Sequence, residues 1–233
     1  MLELFPEGFE EIDADGGVEL AAYTTAGGEE RLWQAFGPGR SDSVRAGWES
    51  GWRRFHRPVR VGPLWVGPPW EEAEEDAVAV VVDPGRAFGT GAHPTTRLCL
   101  ELLAELHRGS LLDAGCGSGV VAIAGAKLGF DPVVALDHEL AAVEAARENS
   151  AANGVAIDVR RADLLADPLP VADVVVANVS RAVVERLAGR IRAPVLVASG
   201  YLVADRPSTR GWRPRASREA DGWAADILVR DPA

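Results

Sequence analysis

"LLDAGCGSGVVAIA", Leu111–Ala124, decides the fold. It reads as a short apolar strand, a turn with glycines at 115, 117 and 119, and then an apolar helix. Such a turn brings the free N–H groups of a helix N-terminus to the carboxyl end of a strand, where a ligand can approach the backbone. A dinucleotide-binding turn reads G-x-G-x-x-G. Here the sixth position is Val120, giving G-x-G-x-G, which argues against a nicotinamide dehydrogenase. No G-K-[ST] is present, which argues against a P-loop.

Outward from this stretch, apolar runs alternate with amphipathic ones. Downstream come the strand "PVVALD", the helix "ELAAVEAARENSAANG" closed by Asn153-Gly154, and the strand "VAIDVRRAD". The strand "VADVVVANVS", the helix "RAVVERLAGRI", the strand "PVLVASG" and a final strand "GWAADILVR" follow. Upstream, "AVAVVVD" reads as a strand and "PTTRLCLELLAEL" as a helix with Pro94 in its first turn. The alternation predicts an α/β fold: a parallel sheet covered by helices on both faces, with ligands at the carboxyl ends of the strands.

Two acids stand where such a sheet would use them. Asp137 ends "VVALD", 22 residues after Gly115, and can accept both hydroxyls of a ribose. Asp163 ends "VRRAD" and can meet an adenine edge. Asp113, at the end of the first core strand, can receive backbone N–H groups of the turn or a ligand's amino group. Singly, each acid is an ordinary turn or cap residue. Together with the glycine turn they favour a nucleoside.

Between two of these elements lies "VVDPGRAFGTGAHPTTRL", Val81–Leu98, with three glycines and a Thr-Thr pair. So many glycines imply close approach of the backbone to a ligand or to another stretch of chain.

The first forty residues read as a separate small unit, with a strand in "VELAAYTT" and a short helix in "EERLWQAFG" stopped by Gly37-Pro38-Gly39. Residues 41–57 read as a linking helix with Trp48 and Trp52 on one face, and residues 58–233 as the main domain. "VGPLWVGPPWEE" reads as a short strand and a proline turn.

The chain has 233 residues, 47% of them apolar, enough for a substantial core. Its net charge of −11 argues against non-specific binding to nucleic-acid backbone. Residues 1–30 carry nine carboxylates and no Lys or Arg, whereas residues 206–218 hold five arginines and no acid. Each is a solvated surface or a docking face. No apolar run is long enough to span a bilayer, and the acidic start is unlike a signal peptide, so the cytoplasm is the expected location. Cys99 and Cys116 provide no disulfide framework and read as small, unreactive residues. His56, His107 and His138 lack metal-ligand spacing.

An acid at a strand end, G-x-G-x-G, and a second acid one strand later are similar to the S-adenosylmethionine-dependent methyltransferases with a Rossmann-like, mostly parallel seven-stranded sheet. "DPGRAFGTGAHPTTRL" is sharper still and closely resembles the signature of the PrmA family, which methylates a ribosomal protein at the stalk base of the large subunit. The resemblance continues through "GWESGWRRFHRP", "LWVGPPWE", "VVALDHE", "ENSAANGV" and "VVVANVS", covering roughly residues 41–200.

The resemblance implies roles position by position. Thr96 would bond the methionine portion of the cofactor, Gly115 and Gly117 would lie in the turn against it, and Asp137 would hold the ribose. Asp113 and Asp163 would complete the cofactor set. Asn178 would reach the amino-acid end near the methyl group and orient the acceptor amine, and the Phe88–Thr96 loop would act as a lid. His93 is either a proton acceptor through water or a solvent-facing residue at the helix start. Glutamine-N methyltransferases have N-P-P-Y where this chain has Asn178-Val179-Ser180-Arg181, which favours an amine acceptor. The implied partner is a basic ribosomal protein, with no direct nucleic-acid or membrane contact. A methyltransferase for another protein or a small amine, and a non-catalytic cofactor-binding relative, are the alternatives. Two departures stand out. "LELFPEGFEE" matches the end of the first helix of the family's N-terminal domain, so that recognition unit is expected to be truncated. The segment after Gly200 is also short.

Overall fold

The computed structural model describes residues 10–14, 17–21, 36–37, 57–83 and 91–231. The chain divides into two compact units, residues 1–52 and 53–233. The boundary falls inside the segment read as a linking helix, most of which, with Trp48 and Trp52, lies outside the described residues.

In the first unit, β1 (Glu10–Ala14) and β2 (Gly17–Ala21) form an antiparallel hairpin with Ala14 opposite Gly17. Glu10 and Glu11 therefore lie in a strand, whereas the resemblance put them at a helix end. Phe36 is helical and Gly37 has a φ of +88°, as a helix stopped by a left-handed glycine requires.

The second unit begins with a three-stranded sheet. The stretch read as one strand is two, β3 (Val59–Val61) and β4 (Leu64–Gly67), because Gly62-Pro63 turns the chain back into a hairpin. β5 (Val78–Val81) pairs in parallel with β4, not with the main sheet. Its alternate residues are only partly buried, unlike a strand covered on both faces.

The main sheet contains β6 (Leu111–Ala114), β7 (Val133–Asp137), β8 (Asp158–Arg161), β9 (Val174–Asn178), β10 (Val195–Leu202), β11 (Trp212–Ala220) and β12 (Trp223–Arg230). Their order is β11-β12-β10-β9-β6-β7-β8. β6 to β10 run parallel, while β12 and β11 are antiparallel additions at one edge. The sheet is thus the mostly parallel, seven-stranded one that the resemblance implies.

Helices α1 (Pro94–Ala104), α2 (Val120–Leu128), α3 (Leu140–Ala152) and α4 (Arg181–Ala188) flank it. Neighbouring strand residues point to opposite faces, so Leu111, Val174 and Val176 join a core with α1, α2 and α3, while Leu112, Val175 and Ala177 join one with α4. The chain winds outward one way from β6 to β7 and β8, and the other way from β9 to β10. Between β6 and β9 the direction reverses. That switch point is where open α/β sheets place ligands.

β11 is the element that the sequence conceals. "WRPRASREA" carries three arginines and a proline and lacks a strand's apolar alternation. It is an edge strand, where charge and proline are tolerated and discourage pairing with other chains. The five-arginine stretch accordingly does mixed work. Arg206 pairs with the buried Asp226 and with Glu219, and Arg218 lies 2.8 Å from Glu105. Arg210, Arg213 and Arg215 are exposed.

Candidate functional site

At the switch point a cleft is lined by Thr96, Asp113, Gly115, Cys116, Gly117, Val120, Val121 and Asn178. Its floor is the glycine turn. Backbone N–H groups of Gly115 and Cys116 donate to the carbonyl of Leu136 at 2.8 and 3.0 Å, fastening the turn to β7. Gly115, Gly117 and Gly119 have φ of +85°, +50° and +80°.

The two acids of the motif anchor this turn. The N-cap of α2 is Gly119, which has no side chain to cap the helix. Asp113 takes over that task from the neighbouring strand, its Oδ2 accepting the Ala122 N–H at 3.0 Å. Asp113 is 2% exposed, and burial pushes its carboxyl up to about 7. Asp137 ends β7 and accepts from Gly117 N–H at 2.9 Å and from Glu139 N–H at 3.0 Å. It holds a residue of the cleft without itself lining it.

The polar wall opposite is made by α1 and β9. Thr96 sits in the first turn of α1, 1% exposed. Asn178 closes β9, and its Nδ2 lies 3.4 Å from Thr96 Oγ1. The structure therefore brings together Thr96, Asp113, Gly115, Gly117 and Asn178, with Asp137 directly behind Gly117.

Asp163 is not brought in. β8 stops at Arg161, and Asp163 sits in the exposed turn beyond it, where its Oδ1 accepts from Leu165 N–H at 2.8 Å. His93 stands at the helix start, as the N-cap of α1, and is half-buried. Its Nδ1 is 2.8 Å from Thr95 Oγ1, and its ring packs edge-on to Trp223 with centroids 5.0 Å apart. Burial raises the Cys99 thiol to about 12 and also raises the Cys116 thiol, in keeping with small unreactive residues. The part of the glycine-rich loop at residues 84–90 lies outside the described residues, including Phe88. Gly91, at its end, has φ +87°, and a Cβ there would come 2.5 Å from Cγ1 of Val66, so this glycine makes room for another stretch of chain.

The family model for "Ribosomal protein L11 methyltransferase (PrmA)" matches residues 35–205. The chain belongs to the PrmA family. A ribosomal protein L11 methyltransferase of Symbiobacterium thermophilum is 41% identical over 199 residues, covering 78% of this chain and 66% of that one. One from Pseudomonas putida W619 is 42% identical over 194 residues, covering 79% and 65%. The chain thus spans just under two thirds of the length of these curated relatives. Among solved structures, a ribosomal protein L11 methylase of Lactobacillus delbrueckii subsp. bulgaricus matches with a TM-score of 0.68 at 26% identity, over 76% of this chain and all of that one.

Some residues that build this PrmA-family site do not declare themselves in sequence. Asn149 and Asn153 belong to the quoted "ENSAANGV", but their work is visible only in three dimensions. Asn149 accepts from Asp83 N–H at 3.1 Å and donates to the Ser118 carbonyl at 2.9 Å, tying the end of β5 to the glycine turn. Asn153 accepts from Val81 N–H at 2.9 Å and donates to the Val81 carbonyl at 2.6 Å, as a neighbouring strand would. Their spacing of four, one helical turn, was the available signal.

Proposed function

We propose that the chain is an S-adenosylmethionine-dependent N-methyltransferase acting on amines of the large-subunit ribosomal protein L11. The observation that carries this reading is the charge of the cleft. Asp113 occupies the N–H of Ala122 in the first turn of α2, and Asp137 occupies that of Gly117. A pyrophosphate would need those donors and would face the Asp113 carboxylate in the lining, with that of Asp137 behind Gly117. A cationic ligand with an ammonium group and a ribose suits the same groups. Asp113 meets the ammonium, Asp137 the ribose hydroxyls, and Thr96 and Asn178 the remaining polar atoms of the amino-acid end. Asp163, in the exposed turn beyond β8, would have to reach the adenine from outside the cleft lining.

When bound, S-adenosylmethionine supplies a methyl group activated by its sulfonium. The chain's own task is to place a neutral amine in line, roughly 3–3.5 Å from that carbon. Only about one lysine amine in 2,500 is neutral at pH 7 from an unperturbed pKa of about 10.4. A cleft that excludes water and sets the amine beside a positive charge lowers that pKa. Asn178, with Nδ2 turned to Thr96, keeps Oδ1 to accept a hydrogen bond from the amine and aim its lone pair. The acidic first unit, with nine carboxylates in residues 1–30, suits recognition of a basic ribosomal protein at the stalk base, in the cytoplasm and without direct nucleic-acid contact.

The test is transfer of tritiated methyl from S-adenosylmethionine to purified L11 and to total ribosomal protein. Label in L11 supports the reading. Label in another protein or a small amine overturns the substrate. Cofactor binding with no label anywhere points to a non-catalytic relative.

A further inference from the structure

The cleft wall that carries Asn178 is held from two sides at the next residue. β9 ends at Asn178, yet Val179 N–H still donates to the Ser199 carbonyl at 3.1 Å, so pairing with β10 continues one residue past the strand. There β10 bulges. Its register shifts between Ser199 and Tyr201, with Gly200 between them at φ +96°. A Cβ on Gly200 would overlap the Val179 carbonyl oxygen and lie 2.7 Å from its carbonyl carbon and 3.0 Å from its nitrogen. On the other side, a Cβ on Gly115 would overlap Cγ1 of Val179. The main chain of Val179 thus rests on Gly200, and its side chain rests on Gly115.

We propose that Val179 is a wedge, seated between Gly200 on β10 and Gly115 in the glycine turn, that positions the Asn178 carboxamide in the cleft. Gly200 is then a positioning residue one strand away from the site. The inference rests on the reading of Asn178 as a cofactor-facing residue. It also makes a pattern that general loss of packing would not. Gly200 touches backbone, which no side-chain change can trim. Gly115 touches a methyl group, which Val179→Ala removes.

The experiment is calorimetric titration of the full chain with S-adenosylhomocysteine, with thermal melting to check folding. Gly200→Ala is expected to weaken binding by roughly 10- to 100-fold, the scale of losing a hydrogen bond to a charged ligand group, and Val179→Ala does not restore it. Gly115→Ala weakens binding as well, and adding Val179→Ala recovers only part of the loss, because an alanine at φ +85° stays strained once the clash with Cγ1 is gone. Gly211→Ala is the control for backbone strain, because Gly211 has φ +78° with nothing within 4 Å of a Cβ. It is expected to keep its affinity within about twofold, as a distant independent site should. In an Asn178→Ala background, Gly200→Ala changes affinity by less than about twofold. Wild-type affinity in Gly200→Ala, or an undiminished effect without Asn178, overturns the wedge. Should Gly200→Ala not fold, Val179→Ala decides: about fivefold weaker binding supports the wedge, on the scale of coupled neighbours, and unchanged binding overturns it. A wild-type chain that binds no S-adenosylhomocysteine overturns the functional reading itself, a failure distinct from that of the wedge.

Discussion

The two ends of the main sheet are held in different ways. On the β6–β7 side, buried carboxylates bond directly to backbone N–H groups, Asp113 to Ala122 and Asp137 to Gly117. On the β10–β12 side, the buried Asp226 is bonded to side chains, accepting from Tyr201 Oη at 2.7 Å and pairing with Arg206. The first arrangement shapes a ligand turn. The second ties the segment after β10 to the sheet, aided by Arg181 with Asp205 at 3.2 Å and by Ser208 N–H donating to Glu185 at 2.9 Å. Chemistry and architecture are thus separable, and substitutions on the two sides should fail differently.

The largest effect is expected at Asp226. Asp226→Ala leaves Arg206 and Tyr201 without their buried partner. It should cost about 3 kcal/mol in stability, the low end for breaking a buried pair, because the Arg206 side chain is 33% exposed. Chemical denaturation measures it. Cofactor affinity should stay within a few-fold, and a collapse of affinity at matched folding would erase the distinction between the sides.

Asp137→Ala should do the reverse. Losing the proposed charge-assisted bonds to the ribose is worth about 2–3 kcal/mol, or roughly 30- to 150-fold in S-adenosylhomocysteine affinity by calorimetry. The melting temperature should move less than in Asp226→Ala.

Asp113 sharpens the contrast through pH. Its carboxyl is raised to about 7 by burial, so in the free protein it is largely protonated below that pH. A ligand ammonium favours the ionised form, so binding below pH 7 releases a proton. Affinity should fall by up to about tenfold per pH unit below 7 and level off above it. Calorimetry in buffers of different ionisation enthalpy counts the proton, and Asp113→Asn should remove the dependence. The same group affects folding with the sign of a raised acid. The native state binds the extra proton between about pH 4 and 7, so its contribution to stability is lost as pH rises through that window.

The smallest effect is expected at Arg218, whose pair with Glu105 is about half exposed on both partners. Arg218→Ala should change stability by less than about 0.5 kcal/mol and leave binding untouched.

The same contrast explains what could be read from sequence. The β6–β7 side was legible because its chemistry needs particular residues at strand ends: Asp113, the glycines and Asp137 mark themselves by type and spacing. The parallel strands were legible because burial on both faces leaves near-continuous apolar runs such as "VVVAN". β11 was not, because an edge strand can be charged and carry Pro214. Asp163 was misplaced because "VAIDVRRAD" continues as a strand-like pattern, whereas pairing with β7 ends at Arg161. Asn149, Asn153 and Gly200 were hidden for another reason. Each serves a backbone group distant in sequence, and even where spacing marks a pair, as at Asn149 and Asn153, the sequence does not say which backbone it meets.

The cleft between β6 and β9 is proposed to take a nucleoside that bears an amino-acid ammonium group, its ribose held by Asp137. Calorimetric titration with S-adenosylhomocysteine, alongside a nicotinamide dinucleotide, tests it most directly. One site per chain for S-adenosylhomocysteine, weakened by Asp137→Ala, and no heat from the dinucleotide are the expected results. Saturable binding of the dinucleotide, or no binding of S-adenosylhomocysteine by a folded chain, would contradict it.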